Sequence, residues 1–268
     1  MEEKKEEKVR ISVRNLVEFI LREGDLDSRQ GGTTDKEAML LGGRIHRKIQ
    51  RQMGGVYHAE VPLQIVVPCE KLDIIVEGRA DGIIEEDGRT AVDEIKGILQ
   101  DLDLIKEPKK VHLAQAKCYA YIYASIKELS EIGVQMTYCQ METEEVKRFY
   151  QTFSCEELKK WFFDLVHRYE KWAVFQIEWR QKRNQSIKQV EFPFGYREGQ
   201  KDLVVSVYRS ILRKKKLFIQ APTGVGKTMA TVFPAVKAVG EGLANQIFYL
   251  TAKTITRTVP VLTDHHIQ

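Results

Sequence analysis

The stretch LDIIVEGRADGIIEEDGRTAVDEIKGI, residues 72–98, decides the fold of the first part of this chain. Both of its halves are rich in β-branched residues, and the Asp87-Gly88 pair between them is typical of a tight hairpin turn. The segment VPLQIVV, residues 61–67, has the same character. Together these segments predict a meander of strands.

Helical patterns lie on both sides of the strands. Apolar residues recur at helical spacing in several segments, Pro108 can open a helix, and Ser154 with Glu157 forms a capping box. The predicted elements are helices over residues 11–21 and 35–53, a helix from residue 108, a strand over 133–141 and a helix after Ser154. Mixed helices and strands predict an α/β fold in which a mixed sheet is flanked by helices.

The composition resets after a polar stretch, WRQKRNQSIKQ at residues 179–189. An aromatic entry is followed by a helix, the apolar run KLFIQ at 216–220, a Gly-rich turn, another helix and QIFYLTA at 246–252. This order predicts a βαβ unit of a parallel sheet. We therefore expect a charged tail over residues 1–9, a first domain over 10–183, a linker over 184–191 and a second domain over 192–268.

Bulk properties exclude several classes of protein. Lys and Arg number 42 against 38 Asp and Glu, a net charge of +4 that permits nucleic-acid binding but does not indicate it. The four cysteines form no CxxC pair, which argues against a zinc ribbon or a disulfide scaffold. No signal peptide and no apolar stretch of membrane-spanning length is evident, so we expect a cytoplasmic protein without a membrane partner. The oligomeric state is left open.

Residues 221–228 read APTGVGKT, between an apolar run and a helix, which is the context of a phosphate-binding loop. Gly224 and Gly226 allow the backbone to curl, so that successive N–H groups face a triphosphate. Lys227 supplies a positive charge to the outer phosphates, and the Thr228 hydroxyl can bind Mg²⁺. A Gly-rich turn that merely precedes a helix is the alternative.

Three segments in order, FPFGYREGQKDLV, FIQAPTGVGKT and YLTAKTITRTV, resemble the opening of the XPD/DinG-type superfamily 2 DNA helicases. The resemblance implies that Gln200, with Arg197, contacts adenine, and that the segment around Thr251 and Lys253 touches the DNA backbone. A solvated helix position is the alternative for Gln200. The residues implied in ATP binding are Gln200, Thr223, Gly224, Val225, Gly226, Lys227 and Thr228.

The acidic Walker B segment, an arginine finger and a second RecA-like lobe would all lie after the final residue. The second domain is therefore expected to be a truncated RecA-like P-loop lobe. We expect this chain alone not to unwind DNA.

Three charged residues stand out within the strand meander. Asp81 and Glu94 lie on two strands joined by the hairpin, so their carboxylates can converge at one sheet edge, where hard oxygen ligands suit Mg²⁺ or Mn²⁺. Glu94 and Lys96 point to the same face of a strand, which places the ammonium beside the metal. Asp93 should point to the opposite face and ranks second as a ligand.

This ordered set resembles the PD-(D/E)xK nuclease superfamily, and His46 with the Gln115-x-x-x-Tyr119 pair resembles its RecB-like branch. The resemblance implies a restriction-endonuclease-like core over about residues 10–180. It implies that His46 and the backbone carbonyl of Ile95 join Asp81 and Glu94 around the metal. It further implies that Gln115 and Tyr119 support the site and contact DNA.

Each member also has a simpler interpretation. His46 could be a solvated or packing residue, and Asp81 a turn residue beside a glycine. Glu94 with Lys96 could be an ordinary surface ion pair, and the Gln115 and Tyr119 positions a core-facing helix surface.

Some RecB-like nucleases hold an iron–sulfur cluster with one cysteine before the histidine and three after the Gln/Tyr pair. No cysteine precedes His46 here, and only Cys139 and Cys155 follow Tyr119. We expect no cluster, with Cys118 and Cys139 in the core.

The sequence thus predicts a bacterial DNA-processing enzyme that hydrolyses DNA phosphodiesters with Mg²⁺ or Mn²⁺ and binds ATP. Its expected partner is DNA that is single-stranded or has single-stranded ends. One alternative is a P-loop ATPase with a DNA-binding module that does not cleave; another is a P-loop ATPase acting on something other than DNA. Exonuclease or endonuclease action, and polarity, are left open.

Overall fold

The structure, a computed structural model, describes residues 7–23 and 34–250, with the backbone alone for 34–40. The chain divides into two compact units, Met1–Val174 and Phe175–Gln268. Among the described helices, none has the length and apolar character needed to cross a membrane.

The first unit contains a sheet and its flanking helices. Its elements are β1 (Lys8–Ser12), α1 (Val13–Ile20), α2 (Thr34–Gln52), β2 (Tyr57–Pro68), β3 (Asp73–Glu86), β4 (Arg89–Ile98), a 3-10 turn (Leu102–Leu104), α3 (Lys110–Lys127), β5 (Glu131–Gln140), β6 (Val146–Ser154) and the start of α4 (Cys155–Gln189). The strands form one sheet in the order β1-β3-β4-β5-β6, with β2 also paired to β3. The β1–β3 and β4–β5 pairs are parallel and the others antiparallel, which confirms the predicted mixed sheet flanked by helices.

Strand β3 is the centre of this topology. Strand β2 occupies one of its edges over most of its length, so β1 and β4 must share the other edge. There β1 pairs with residues 73–77 and β4 with residues 82–86. Residues 78–81 therefore face a gap between two neighbouring strands on that edge.

Helices α3 and α4 bury apolar side chains in the core of this unit. Cys118, Ile122 and Phe162 are fully buried, and the Tyr121 and Phe162 rings lie 4.8 Å apart between centroids. Complete burial of each large apolar side chain stabilises the fold by about 1.5–3 kcal/mol. Cys139 is buried as well, so both cysteines predicted for the core lie in it.

Two strands were not predicted. The sequence suggested a helix from Ile11, but β1 extends to Ser12, whose hydroxyl caps α1 by accepting a hydrogen bond from the Asn15 N–H at 3.1 Å. The other, β6, is an edge strand whose residues are exposed or only partly buried. It therefore has no apolar run from which a strand could be predicted. Pairing with distant residues creates both strands.

The second unit contains the end of α4 and two further helices, α5 (Gln200–Leu212) and α6 (Lys227–Gly240). Helices α5 and α6 pack through Val204, Met229 and Phe233. The polar stretch at 179–189 continues α4 because Gln, Arg and Lys are good helix formers.

The expected βαβ unit is not formed in the described part of the second unit. Residues 216–220 and 246–250 are not strands there, and Phe218 and Phe248 are 92% and 81% exposed. A strand needs backbone partners on a neighbouring strand, and none is present for these two segments among the described residues.

Candidate metal site and phosphate loop

Asp81 lies at an interruption of the sheet. Glu60 and Asp81 lie opposite each other in an unbroken β2–β3 register but are left out of the pairing, and Glu60 has a positive φ of 56°, so the ladder is interrupted at this point. On its other edge β3 pairs with β4 only from Gly82 onward. Asp81 is therefore outside the backbone pairing on both edges of β3.

The side chain of Asp81 connects three elements. Its Oδ2 accepts a hydrogen bond from the Ile95 N–H of β4 at 2.8 Å, and its Oδ1 lies 3.4 Å from His46 Nδ1 of α2. The Gln50 side chain, one turn after His46, donates to the Asp81 carbonyl at 3.0 Å. Helix α2 is held over β4 by Ile45, whose side chain packs in one apolar cluster with Ile95.

Glu94, Lys96 and Gln115 form the other half of the site. Lys96 Nζ donates to Glu94 Oε1 at 2.7 Å and to Gln115 Oε1 at 3.1 Å. Glu94 is 1% exposed, and its second oxygen, Oε2, has no hydrogen-bond partner although it is fully buried. Because a buried polar atom without a partner costs free energy, this oxygen is an open ligand position.

The protonation of Glu94 reflects its surroundings. Burial and, after it, the charge of the nearby Asp81 carboxylate raise the pKa of Glu94 to about 8, although Lys96 acts against both. Two carboxylates therefore converge in a place where one lysine does not compensate for both. A divalent cation would remove this repulsion.

Tyr119 fills the gap along β3. Its hydroxyl lies near the Arg79 backbone N–H and the Gln115 side chain, both of which lower its pKa. A Cβ at Gly78 would lie 2.6 Å from the Tyr119 hydroxyl oxygen, so only glycine allows this approach. Burial, followed by the charge of Glu94, raises the pKa of Tyr119. Tyr119 and Gln115 therefore support the site from α3.

Whether these residues suit a metal ion depends on which ligand atoms they offer. Among residues 7–23 and 41–250, no three His, Cys, Asp or Glu side chains are gathered as a ready metal-binding group. The site instead offers two carboxylates, one with an unpartnered oxygen, and a histidine beside the first. These donors suit a hard divalent cation after a small side-chain adjustment.

Asp93 lies on the opposite face of β4, away from this site. Its carboxylate accepts hydrogen bonds from Tyr57 Oη at 3.1 Å, Thr137 Oγ1 at 2.6 Å and Gln135 Nε2 at 3.2 Å. Burial raises the pKa of Asp93, while these donors lower it. Its oxygens are satisfied, so Asp93 is a structural residue rather than a substitute ligand.

The loop before α6 has the geometry of a phosphate-binding loop. Gly224 and Gly226 have positive φ angles of 90° and 77°, and α6 begins directly after Gly226. Lys227 Nζ donates to the backbone carbonyls of Ala221 at 3.0 Å and Pro222 at 2.7 Å, so it folds back over the loop. The lysine and the helix N-terminus thus face the same concave backbone.

Gln200 and Arg197 brace this loop. Gln200 is 4% exposed; its Nε2 donates to the Gly226 carbonyl at 3.4 Å and its Oε1 accepts from the Arg197 N–H at 3.0 Å. The Arg197 guanidinium donates to the Gly224 carbonyl. Gln200 is therefore not a solvated helix residue.

For the other predicted site residues the structure gives less information. Thr223 and Val225 lie in the loop and Thr228 in the first turn of α6; neither threonine side chain makes a hydrogen bond within the described residues. Thr251 and Lys253 lie outside the described residues. Sequence reasoning missed Gln50, Tyr57 and Gly78, whose importance depends on the interrupted β2–β3 pairing and on contacts between distant segments.

Comparison with known proteins bears on the second unit. Residues 202–256 match the model of the DEAD/DEAH box helicase family. A probable ATP-dependent helicase of Methanocaldococcus jannaschii is 43% identical over 47 residues, which are 17% of this chain and 7% of that protein. The chain thus spans a small fraction of this relative's length.

Among solved structures, the crystal structure of SSO0001 is similar with a TM-score of 0.40 and 17% identity, over 62% of this chain and 77% of that one. A similarity this low assigns no function. The family match, by contrast, includes the phosphate loop and α6, and with the helicase relative it supports a helicase-type segment at residues 202–256.

Proposed function

We propose that the first unit is a metal-dependent DNA nuclease and that the second unit begins an XPD/DinG-type helicase motor completed in a longer protein. The observation that carries the nuclease proposal is the unpartnered Glu94 Oε2 beside Asp81 and Lys96, at the interruption in β3. Structural carboxylates are normally satisfied, as Asp93 is. A buried carboxylate oxygen without a hydrogen-bond partner favours the binding of a cation at this site.

Asp81, Glu94, His46 and the Ile95 carbonyl would hold the cation. Bound there, Mg²⁺ or Mn²⁺ would neutralise charge on a phosphodiester and lower the pKa of an attacking water. Lys96, held between Glu94 and Gln115, presents its ammonium at the same place. This charge stabilises the pentavalent phosphate and orients the water in line with the leaving oxygen.

The proposal for the second unit is that the phosphate loop binds ATP with Mg²⁺. Gly224, Gly226 and Lys227 would hold the triphosphate, and Thr228 the Mg²⁺ ion. Gln200, already against the loop, would read adenine. Pairing a motor with a nuclease would feed a DNA strand, single-stranded or with a single-stranded end, toward the cutting site.

The nuclease proposal is tested by Lys96→Met. Digestion of labelled single- and double-stranded DNA with Mn²⁺ or Mg²⁺ should fall about 10²- to 10³-fold, because a pre-positioned charge that stabilises the transition state is lost. The control Lys127→Met, on the same unit over Tyr123, should cleave like wild type. DNA binding by wild type without cleavage under any divalent metal would instead support the non-cleaving module.

The ATP proposal is tested by Lys227→Ala. Affinity for a fluorescent ATP analogue with Mg²⁺ should fall by at least about tenfold, since a buried charge-assisted contact to phosphate contributes about 1.5–3 kcal/mol. The variant Lys215→Ala, which changes an exposed lysine after α5, serves as the control. Equal affinity of Lys227→Ala and wild type would remove the loop from nucleotide binding.

A further inference from the structure

One histidine near the candidate metal site has no role in the proposal above. His112 lies on α3 one turn before Gln115, above the β4–β5 pair in which Lys96 is directly opposite Tyr138. The His112 and Tyr138 rings are 5.8 Å apart between centroids. His112 is thus next to Lys96, on the face of the sheet that carries the site.

The hydrogen bonds of His112 determine which ring nitrogen carries its proton. Tyr138 Oη accepts from the Lys109 N–H at 3.0 Å and lies 3.1 Å from His112 Nδ1. Tyr138 is fully buried, so its own O–H needs an acceptor, and His112 Nδ1 is the one in reach. Nδ1 therefore accepts, and the proton of the neutral ring is on Nε2.

The charges that shift the pKa of His112 are all positive. Burial, followed by the positive charges of Lys96, Lys109 and Arg14, lowers the pKa of His112 to about 4. Arg14 pairs with Glu18 at 2.7 Å, but both side chains are at least half exposed, so this pair is easily exchanged. The neutral ring offers an N–H donor, and Nε2 makes no hydrogen bond with any residue in the described part of the chain.

We propose that His112 Nε2–H, with Lys109 and Arg14, binds a backbone phosphate of the nucleic-acid strand, next to the phosphate that is cleaved. The inference rests on the proposed nuclease function and extends it to a second phosphate. A neutral donor among cations suits a phosphodiester, which has acceptor oxygens and one negative charge. The contact is made to the backbone and therefore does not depend on base sequence.

The test is a scan of a single-stranded oligonucleotide with one neutral methylphosphonate at each position in turn. Binding is measured by fluorescence anisotropy in EDTA, so it does not require the metal or cleavage. For the wild-type protein, the methylphosphonate at one position should weaken binding about 5- to 20-fold more than a methylphosphonate at the neighbouring positions. In His112→Leu, the unmodified strand should bind more weakly by a similar factor, and that position should lose its extra effect.

Three further variants separate a loss of the phosphate contact from a loss of folding. His112→Gln places an amide N–H near Nε2 and should retain the wild-type profile within about twofold. Arg14→Gln, on the surface, should reduce the effect at the same position without risk to the fold. His167→Leu, an exposed histidine on α4, should behave as wild type.

Two outcomes would overturn the inference in distinguishable ways. If wild type cleaves DNA and His112→Leu has an unchanged methylphosphonate profile, the second phosphate site is wrong and the nuclease proposal stands. If wild type neither binds nor cleaves DNA under any condition, both are wrong.

Discussion

Asp81→Asn should lower metal-dependent DNA cleavage by about 10³-fold or more. Asparagine has the size of aspartate and keeps an oxygen that can accept from the Ile95 N–H, so the local backbone and the β3–β4 junction should persist. It lacks the negative charge that a hard cation needs, and a bound metal contributes several kcal/mol to stabilising the transition state. The loss should therefore appear in the rate and not in the fold.

The measurement is initial-rate digestion of a labelled oligonucleotide over a range of Mn²⁺ concentrations, with circular dichroism as the check on folding. Asp87→Asn provides a matched control, because Asp87 has a positive φ of 50° in the hairpin turn, a conformation that asparagine also adopts. Cleavage by Asp81→Asn at the wild-type rate would show that this carboxylate holds no catalytic metal.

Glu94→Gln should make the metal-free protein more stable at pH 8, by a few kcal/mol at most. Above pH 4.5 the unfolded chain has lost the Glu94 proton, whereas the folded chain keeps it up to a pKa of about 8. The folded state binds more protons in this window, so the free energy of unfolding of wild type falls as pH rises from 4.5 to 8. One pKa unit corresponds to about 1.4 kcal/mol, and glutamine removes this pH dependence.

Urea unfolding in EDTA between pH 5 and 8 measures the effect as the difference between Glu94→Gln and wild type at each pH. That difference should grow with pH, whereas Glu86→Gln, which changes an exposed carboxylate of the same hairpin, should show no such growth. A Glu94→Gln variant that is less stable than wild type throughout would mean that the carboxylate is a structural partner of Lys96.

The strand meander shows what local pattern can predict. The hairpin at Asp87-Gly88, the shared face of Glu94 and Lys96 and the opposite face of Asp93 all follow from a period of two and a turn dipeptide. These rules depend only on neighbouring residues. Consequently, the mixed sheet and the relative directions of the charged side chains could be predicted.

The details that open the site could not be predicted in this way. The gap along β3 arises because β1 and β4 share one edge, and the positive φ of Glu60 interrupts the pairing on the other. Tyr119 fits only because Gly78 is 41 residues away in sequence and adjacent in space. Such features depend on register between distant segments, which no local pattern contains.

In the second unit, local pattern predicted two strands that are not formed among the described residues. The apolar runs at 216–220 and 246–250 have strand composition, but a strand also needs a neighbour. The loop and α6 were predicted well, since glycines at positive φ and a helix start are local features.

The most direct test of whether Asp81 and Glu94 form a metal site is isothermal titration calorimetry. The protein is stripped of metal with EDTA, the EDTA is removed, and Mn²⁺ is titrated in without nucleotide. We expect saturable binding in wild type and in Lys227→Ala, and loss of that binding in Asp81→Asn and Glu94→Gln. Equal Mn²⁺ binding by wild type and by both carboxylate variants would contradict the account.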